Sequence, residues 1–181
     1  MKKISLNGKW NMFLKSAGRR YEANVPCSDY SAMLDEKAIP DPFYATNEKD
    51  CLFISESDKT FERSFHLEKN ELDNDNIILS CKMLDTLCEI YINNTLIGKG
   101  QNAYIGYEFD IKKAVSEGEN HIKIEFKSPV HYVTEKQKEN PLPRNANGIN
   151  GVPYIRKPAC HFGWDWGINL PLSGIIGDID V

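Results

Sequence analysis

His121-Ile122-Lys123-Ile124-Glu125-Phe126-Lys127 alternates strictly between apolar and polar residues. Ile122, Ile124 and Phe126 fall on one side of an extended chain; His121, Lys123, Glu125 and Lys127 fall on the other. A period of two marks a half-buried antiparallel strand with one wet face. Glu117-Gly118-Glu119-Asn120, just before it, is a turn signal. The pattern recurs upstream. Asn76–Met83 puts Ile77, Leu79, Cys81 and Met83 on one face and Ile78 on the other. Leu87–Ile92 reads as a strand and Thr95–Lys99 as its return. The hinge is Asn93-Asn94, because asparagine tolerates the positive φ of a tight hairpin turn. Further upstream, Phe61, Phe65 and Leu67 share a face with Arg63, which predicts an arginine at a sheet rim with a partner. Helix signals are few. Ser28 can cap a short helix carrying Tyr30, Met33 and Leu34, and Ile111–Val115 can form one turn. Many short strands with one or two short helices predict an all-β, antiparallel β-sandwich whose inner faces share one core. Trp10, in the opening strand, belongs to that core.

Composition agrees with one globular unit. The 181 residues include 22 basic and 26 acidic side chains, a formal charge of −4, with 41% apolar and 27% charged residues. This length suits one domain, 1–181, with a core that needs no staples. Mild acidity argues against the basic footprint of a nucleic-acid binder. No run approaches the roughly 20 apolar residues of a membrane span, so neither nucleic acid nor membrane is an expected partner. The opening MKKISLNGKW has two lysines and no apolar run after them; it does not read as a signal peptide, and a cytoplasmic location is expected. Cysteines stand at 27, 51, 81, 88 and 160 with no CxxC pair, and histidines at 66, 121, 131 and 161 with no HxxxH pair. Cys160-His161 is a lone adjacent pair. No metal and no other cofactor is expected, and the thiols read as reduced. Asn93-Asn94-Thr95 fits a glycosylation pattern but reads as a turn.

The stretch 130–169 breaks the alternation. Prolines recur at 129, 141, 143, 153 and 158, and a polar run occupies 144–151. A loop this long in a compact domain is functional or disordered, and the polar run is expected to be mobile. Near its end stands His161-Phe162-Gly163-Trp164-Asp165-Trp166-Gly167, with two of the three tryptophans. Sugar recognition needs a flat aromatic face for the C–H side of a pyranose. It also needs a fixed carboxylate for the hydroxyls, since charge-assisted hydrogen bonds are the stronger ones. Trp164, Asp165 and Trp166 supply both, and the glycines let the backbone turn sharply. The pattern alone fits a second arrangement, in which both indoles fill the base of the sandwich and Asp165 caps a loop.

Several phrases together resemble the N-terminal domain of β-mannosidases of glycoside hydrolase family 2. They are LNGKW at 6–10, VPCSDYSAML at 25–34, IPDPFYATNE at 39–48, LDTLCEIYINN at 84–94, RKPACHFGWDWG at 156–167 and LPLSGI at 170–175. They follow the family's order over nearly the whole chain, and HFGWDWG is the most specific. Cys27, Ala45 and Asn94 stand where the family often has glycine, and Ile168 replaces a common proline.

The resemblance implies a jelly-roll-like, galactose-binding-domain-like sandwich preceding immunoglobulin-like and barrel domains. It implies an enzyme that removes terminal β-D-mannose from non-reducing ends with retention. Its partners would be a β-mannoside or manno-oligosaccharide and the barrel of the same polypeptide. Retention takes two carboxylates about 5–5.5 Å apart. In the family both are glutamates of the barrel, which needs about 250 residues of its own, so no catalytic residue is expected here. Asp165 matches the aspartate that binds sugar hydroxyls, and Trp164 and Trp166 match its flanking aromatics. Arg156 and His161 are candidates to support Asp165 from behind. Other specificities in the family (β-galactosidase, β-glucuronidase, exo-glucosaminidase), a stand-alone carbohydrate-binding module and a purely bracing domain are the alternatives.

Overall fold

The alternating stretch HIKIEFK lies inside the central strand pair of the largest sheet. The computed structural model describes residues 2–143 and 148–181. In chain order the elements are β1 (Gly8–Leu14), β2 (Arg19–Val25), β3 (Cys27–Ser28), α1 (Asp29–Asp35) and α2 (Asn47–Cys51), then β4 (Lys59–Leu67), α3 (Lys69–Leu72), β5 (Ile78–Cys81) and β6 (Leu84–Asp85). There follow β7 (Cys88–Ile92), β8 (Thr95–Gly100), β9 (Tyr107–Asp110), β10 (Gly118–Phe126) and α4 (Pro129–Glu139). Last come β11 (Phe162–Trp164), β12 (Gly167–Asn169), β13 (Gly174–Ile175) and β14 (Ile179–Asp180).

Six strands form one antiparallel sheet in the order β2-β1-β4-β10-β7-β8. Ile124 of β10 sits opposite Phe61 of β4 and Ile90 of β7. All three are fully buried, as the alternation requires. Phe61 and Phe126 meet edge to face, with ring centroids 5.6 Å apart. Such pairs add about 0.5–1.5 kcal/mol beyond the area they bury. Two three-stranded sheets, β14-β5-β9 and β3-β13-β6, contribute Leu79, Cys81, Leu84, Ile175 and Ile179 to the same hydrophobic cluster. That shared core makes the sandwich. Trp10 lies within it, its Nε1 donating to the Leu6 carbonyl at 2.7 Å. The rim partner of Arg63 is backbone and indole: Nη1 donates to the carbonyls of Leu6 and Asn7, and the guanidinium stands 5.8 Å from the Trp10 ring.

The β7–β8 turn is built by Asn93 and Asn94, at φ 49° and 64°. The Asn93 amide also donates to the Ala114 carbonyl and to Asn120 Oδ1, and its oxygen accepts from the His121 N–H at 2.8 Å. Ser28 caps α1, accepting from the Ser31 N–H, and Tyr30 and Met33 are buried as the spacing predicts. Ile111–Val115 makes one hydrogen-bonded turn, Ala114 N–H to Ile111 carbonyl, and no helix.

The helix content exceeds the expectation of one or two. α4 occupies the start of the stretch read as structureless. Its first residue is Pro129, whose missing N–H costs nothing there, and Ser128 caps it by accepting from the His131 N–H. Besides Pro129 it buries only Val130 and Val133, a stripe too narrow to register as a helical period. The mobility expected for 144–151 falls in part on 144–147, which lie outside the described residues. The rest is packed: Ile149 N–H donates to the Phe162 carbonyl, and Gly151 is buried against Val133. Among the described residues, no helix is long and apolar enough to cross a membrane, and no three His, Cys, Asp or Glu gather as a metal site.

Candidate functional site

The Trp-Asp-Trp segment forms a two-strand hairpin. Phe162 pairs with Asn169 and Trp164 with Gly167, leaving Asp165 and Trp166 as the two-residue turn. Gly163 takes φ 95°, a left-handed conformation open to glycine at no steric cost, and so bends the strand just before Trp164. The indoles do not plug the sandwich. Trp164 is 43% exposed and Trp166 75%, and Asp165 is exposed between them. Among the described residues, the Asp165 carboxylate has neither a hydrogen-bond nor an ion-pair partner. The tip thus presents aromatic, carboxylate and aromatic side chains to solvent.

Its base is held firmly. Phe162 is fully buried with Val133 and Ile155 in a small apolar cluster beneath the hairpin. The Asn169 N–H donates to Glu48 of α2 at 3.2 Å. This bond joins the hairpin to the Asp41–Asn47 turn, where Phe43 and Tyr44 are 76% and 72% exposed. The turn is internally hydrogen-bonded: Asp41 Oδ1 accepts from the Phe43 N–H, and the Asp41 carbonyl accepts from the Tyr44 N–H and the Asn47 side-chain amide. Two segments joined by the Asn169–Glu48 bond thus each present exposed aromatics, which burial alone disfavours.

His161 and Arg156 part company. Arg156 is exposed; its backbone carbonyl accepts from the Ala103 N–H at 2.9 Å. His161 Nδ1 lies 2.8 Å from Lys157 Nζ and 3.7 Å from Asp85 Oδ2. Lys157 Nζ in turn donates to Asp85 Oδ2 at 2.9 Å, with both side chains fully buried. Burial, and then the neighbouring Lys157 charge, pull the imidazole down to about 4, against the attraction of Asp85 and Asp29. Burial likewise lowers Lys157, with Asp85 opposing. The ring is therefore neutral near pH 7 and accepts from the ammonium through Nδ1. Asp85, Lys157, Glu48, Phe43 and Tyr44 were not singled out from the sequence. Each lies inside one of the family phrases, but none stands out by type or spacing.

Comparison with known proteins identifies the family of this fold. The family described as glycosyl hydrolase 2 galactose-binding domain-like matches residues 10–177. The chain is 31% identical to the β-mannosidase of Bos taurus over 186 residues, covering 98% of this chain and 21% of that protein. It is 32% identical to the β-mannosidase of Mus musculus over 185 residues, with the same coverage of both chains. The crystal structure of the β-D-mannosidase from Dictyoglomus thermophilum superposes with a TM-score of 0.94 at 30% identity, over 99% of this chain and 22% of that one. The chain thus spans about a fifth of the length of the relatives it matches. The match runs from the core Trp10 to just past β13, and the observed sandwich is of the kind that family describes: the chain belongs to the glycosyl hydrolase 2 galactose-binding domain-like family.

Proposed function

We propose that the chain is the N-terminal sugar-binding domain of a retaining, β-mannosidase-like glycoside hydrolase that releases terminal β-D-mannose from β-D-mannosides. The observation that carries this reading is the exposed Trp164-Asp165-Trp166 turn on an anchored base. In this reading the catalytic glutamates belong to a barrel in the same polypeptide, and the hairpin reaches over the barrel mouth. Asp165 accepts hydrogen bonds from hydroxyls of the terminal sugar. Trp164 and Trp166 exclude water and hold the turn, and the neighbouring Phe43 and Tyr44 lie against the barrel. Removing water strengthens the carboxylate–hydroxyl bonds, since the same charge acts in a lower dielectric. The preceding 161 and 156 side chains act differently: His161 supports the hairpin from below, and Arg156 is free to meet the barrel. All five cysteines are free thiols, which supports the cytoplasm as the compartment.

The test is Asp165→Ala in the full polypeptide. Charge-assisted hydrogen bonds are worth about 1.5–3 kcal/mol. At 1.36 kcal/mol per decade, kcat/KM for an aryl β-mannoside should fall about ten- to a hundredfold while Tm stays within a degree or two. A lowered Tm with unchanged kcat/KM would show a carboxylate that serves only its own loop.

A further inference from the structure

Beneath the hairpin lies a set of buried charges that sugar contact does not use. Asp85 ends β6, and Lys157 stands in the loop leading to β11. Lys157 touches both residues that enter the hairpin: it donates to His161, and its Nζ lies 5.9 Å from the Phe162 ring centroid. Across β13 is a second fully buried pair, Asp29 with Lys59, at 2.7 Å. Asp29 Oδ1 also accepts from the Ser173 N–H, and Lys59 donates to the Ile54 carbonyl. Gly174 of β13 is paired with Ser28 on one side and Asp85 on the other, so this strand brings the two pairs together. Asp29 and Lys59 are both close enough to act electrostatically on Lys157.

A buried ion pair is a poor device for stability, because desolvating both charges offsets their attraction. It is a good device for fixing position. A buried ammonium must find acceptors, so Lys157 has one place to sit, where Asp85 and His161 both meet it. The other anchors are less exacting. The Phe162 side chain packs by apolar contact, which has no preferred direction; its carbonyl accepts from the Ile149 N–H, which fixes backbone and not ring; and the Glu48–Asn169 bond is at the partly open margin.

We propose that Lys157 is the positioning residue of the hairpin: held on Asp85, it fixes through His161 and Phe162 the place from which Trp164, Asp165 and Trp166 project. The consequence for hydrolysis rests on the sugar-contact reading; the consequence for hairpin order does not.

Two variants of the polypeptide as encoded test this. Asp85→Leu with Lys157→Met removes the pair and leaves no charge unpaired. His161→Leu leaves the pair intact and removes the hydrogen bond from Lys157 to the hairpin, so that only the contact with the Phe162 ring remains. The readouts are Tm, hydrogen exchange of the peptide covering 162–169, and kcat and KM on an aryl β-mannoside. Both variants are expected to melt within about 3 °C of wild type, since one kcal/mol moves Tm by about 2–4 °C at this size. Exchange across 162–169 should rise at least threefold in each, and KM should rise more than kcat falls. Raised exchange with unchanged hydrolysis keeps Lys157 as the positioning residue and sinks the sugar-contact reading. Unchanged exchange in either variant that retains its Tm overturns the proposal. If the double variant does not fold, His161→Leu alone decides.

Discussion

Ala45 stands at φ 53° and Asn94 at φ 64°, both at positions where the resembling family often carries glycine. A Cβ in this left-handed region costs roughly 1–2 kcal/mol, less for asparagine. Ala45→Gly is therefore expected to gain about 1 kcal/mol and raise Tm by about 2–4 °C, and Asn94→Gly to gain less. Asn93 shares the φ but not the expectation. Its side chain bridges Ala114, Asn120 and His121, so Asn93→Gly should lower Tm. A thermal melt of the three variants separates the backbone effect from the side-chain one. At His161 the lowered pKa carries a pH dependence. Unfolded histidine titrates near 6.5 and the folded ring near 4, so between these values the unfolded chain binds more protons. Stability must then fall as pH drops from about 6.5 towards 4, by on the order of 2 kcal/mol from this residue at pH 4.5. Asn at 161 keeps an acceptor for Lys157 but does not titrate. Urea midpoints at pH 7 and 4.5 should converge for His161→Asn relative to wild type.

At the scale of elements, α4 teaches the most. Its cap, Ser128, is buried and does two jobs: Oγ accepts from the His131 N–H and donates to the Ser55 carbonyl at 2.7 Å. Ser128→Ala should cost about 1–2 kcal/mol, read as a lower urea midpoint at unchanged slope. The strand pair β4–β10 sets the opposite case. Phe61, Phe65, Leu67, Ile122, Ile124 and Phe126 point inward from it, and Ile124 is fully buried between Phe61 and Ile90. Ile124→Ala should cost about 2–5 kcal/mol through lost burial and the cavity left behind. A helix that shows one buried face two residues wide is invisible to a period count. A strand that buries every second residue is not.

For the whole molecule, four of the exposed aromatics stand on two segments joined by a hydrogen bond. Phe43 and Tyr44 stand on the turn before Glu48, which accepts from Asn169 of β12, the strand that follows the Asp165-Trp166 turn. Exposed apolar groups so clustered mark an interaction surface. In the reading proposed above the barrel covers it and supplies both catalytic carboxylates. The 181-residue chain alone is then expected to release no p-nitrophenol from p-nitrophenyl β-mannoside above a vector-only control, and to bind mannose very weakly. Half a pocket offers few contacts, and small ligands gain limited free energy per atom. Turnover by the pure chain would refute the division of labour.

The amino-acid sequence by itself determined whatever depends on near neighbours. Alternation in 121–127 chose the buried face, Asn93-Asn94 made the turn, Ser28 began the helix, and two indoles around a carboxylate singled out the hairpin. These signals are local because strand period, turn φ and capping are each set within a few residues. Only the tertiary structure decided which charges would be buried and with whom. Lys59 opens the inward face of β4, where alternation calls for an apolar side chain, and it is tolerated because Asp29 meets it from 30 residues away. Lys157 finds Asp85 across 72 residues, and His161, read from sequence as a neighbour of Asp165, bonds to Lys157 instead. The exposure of Trp164 and Trp166 is of the same kind. An indole suits a core or an open face equally well until the fold has filled its core with other residues.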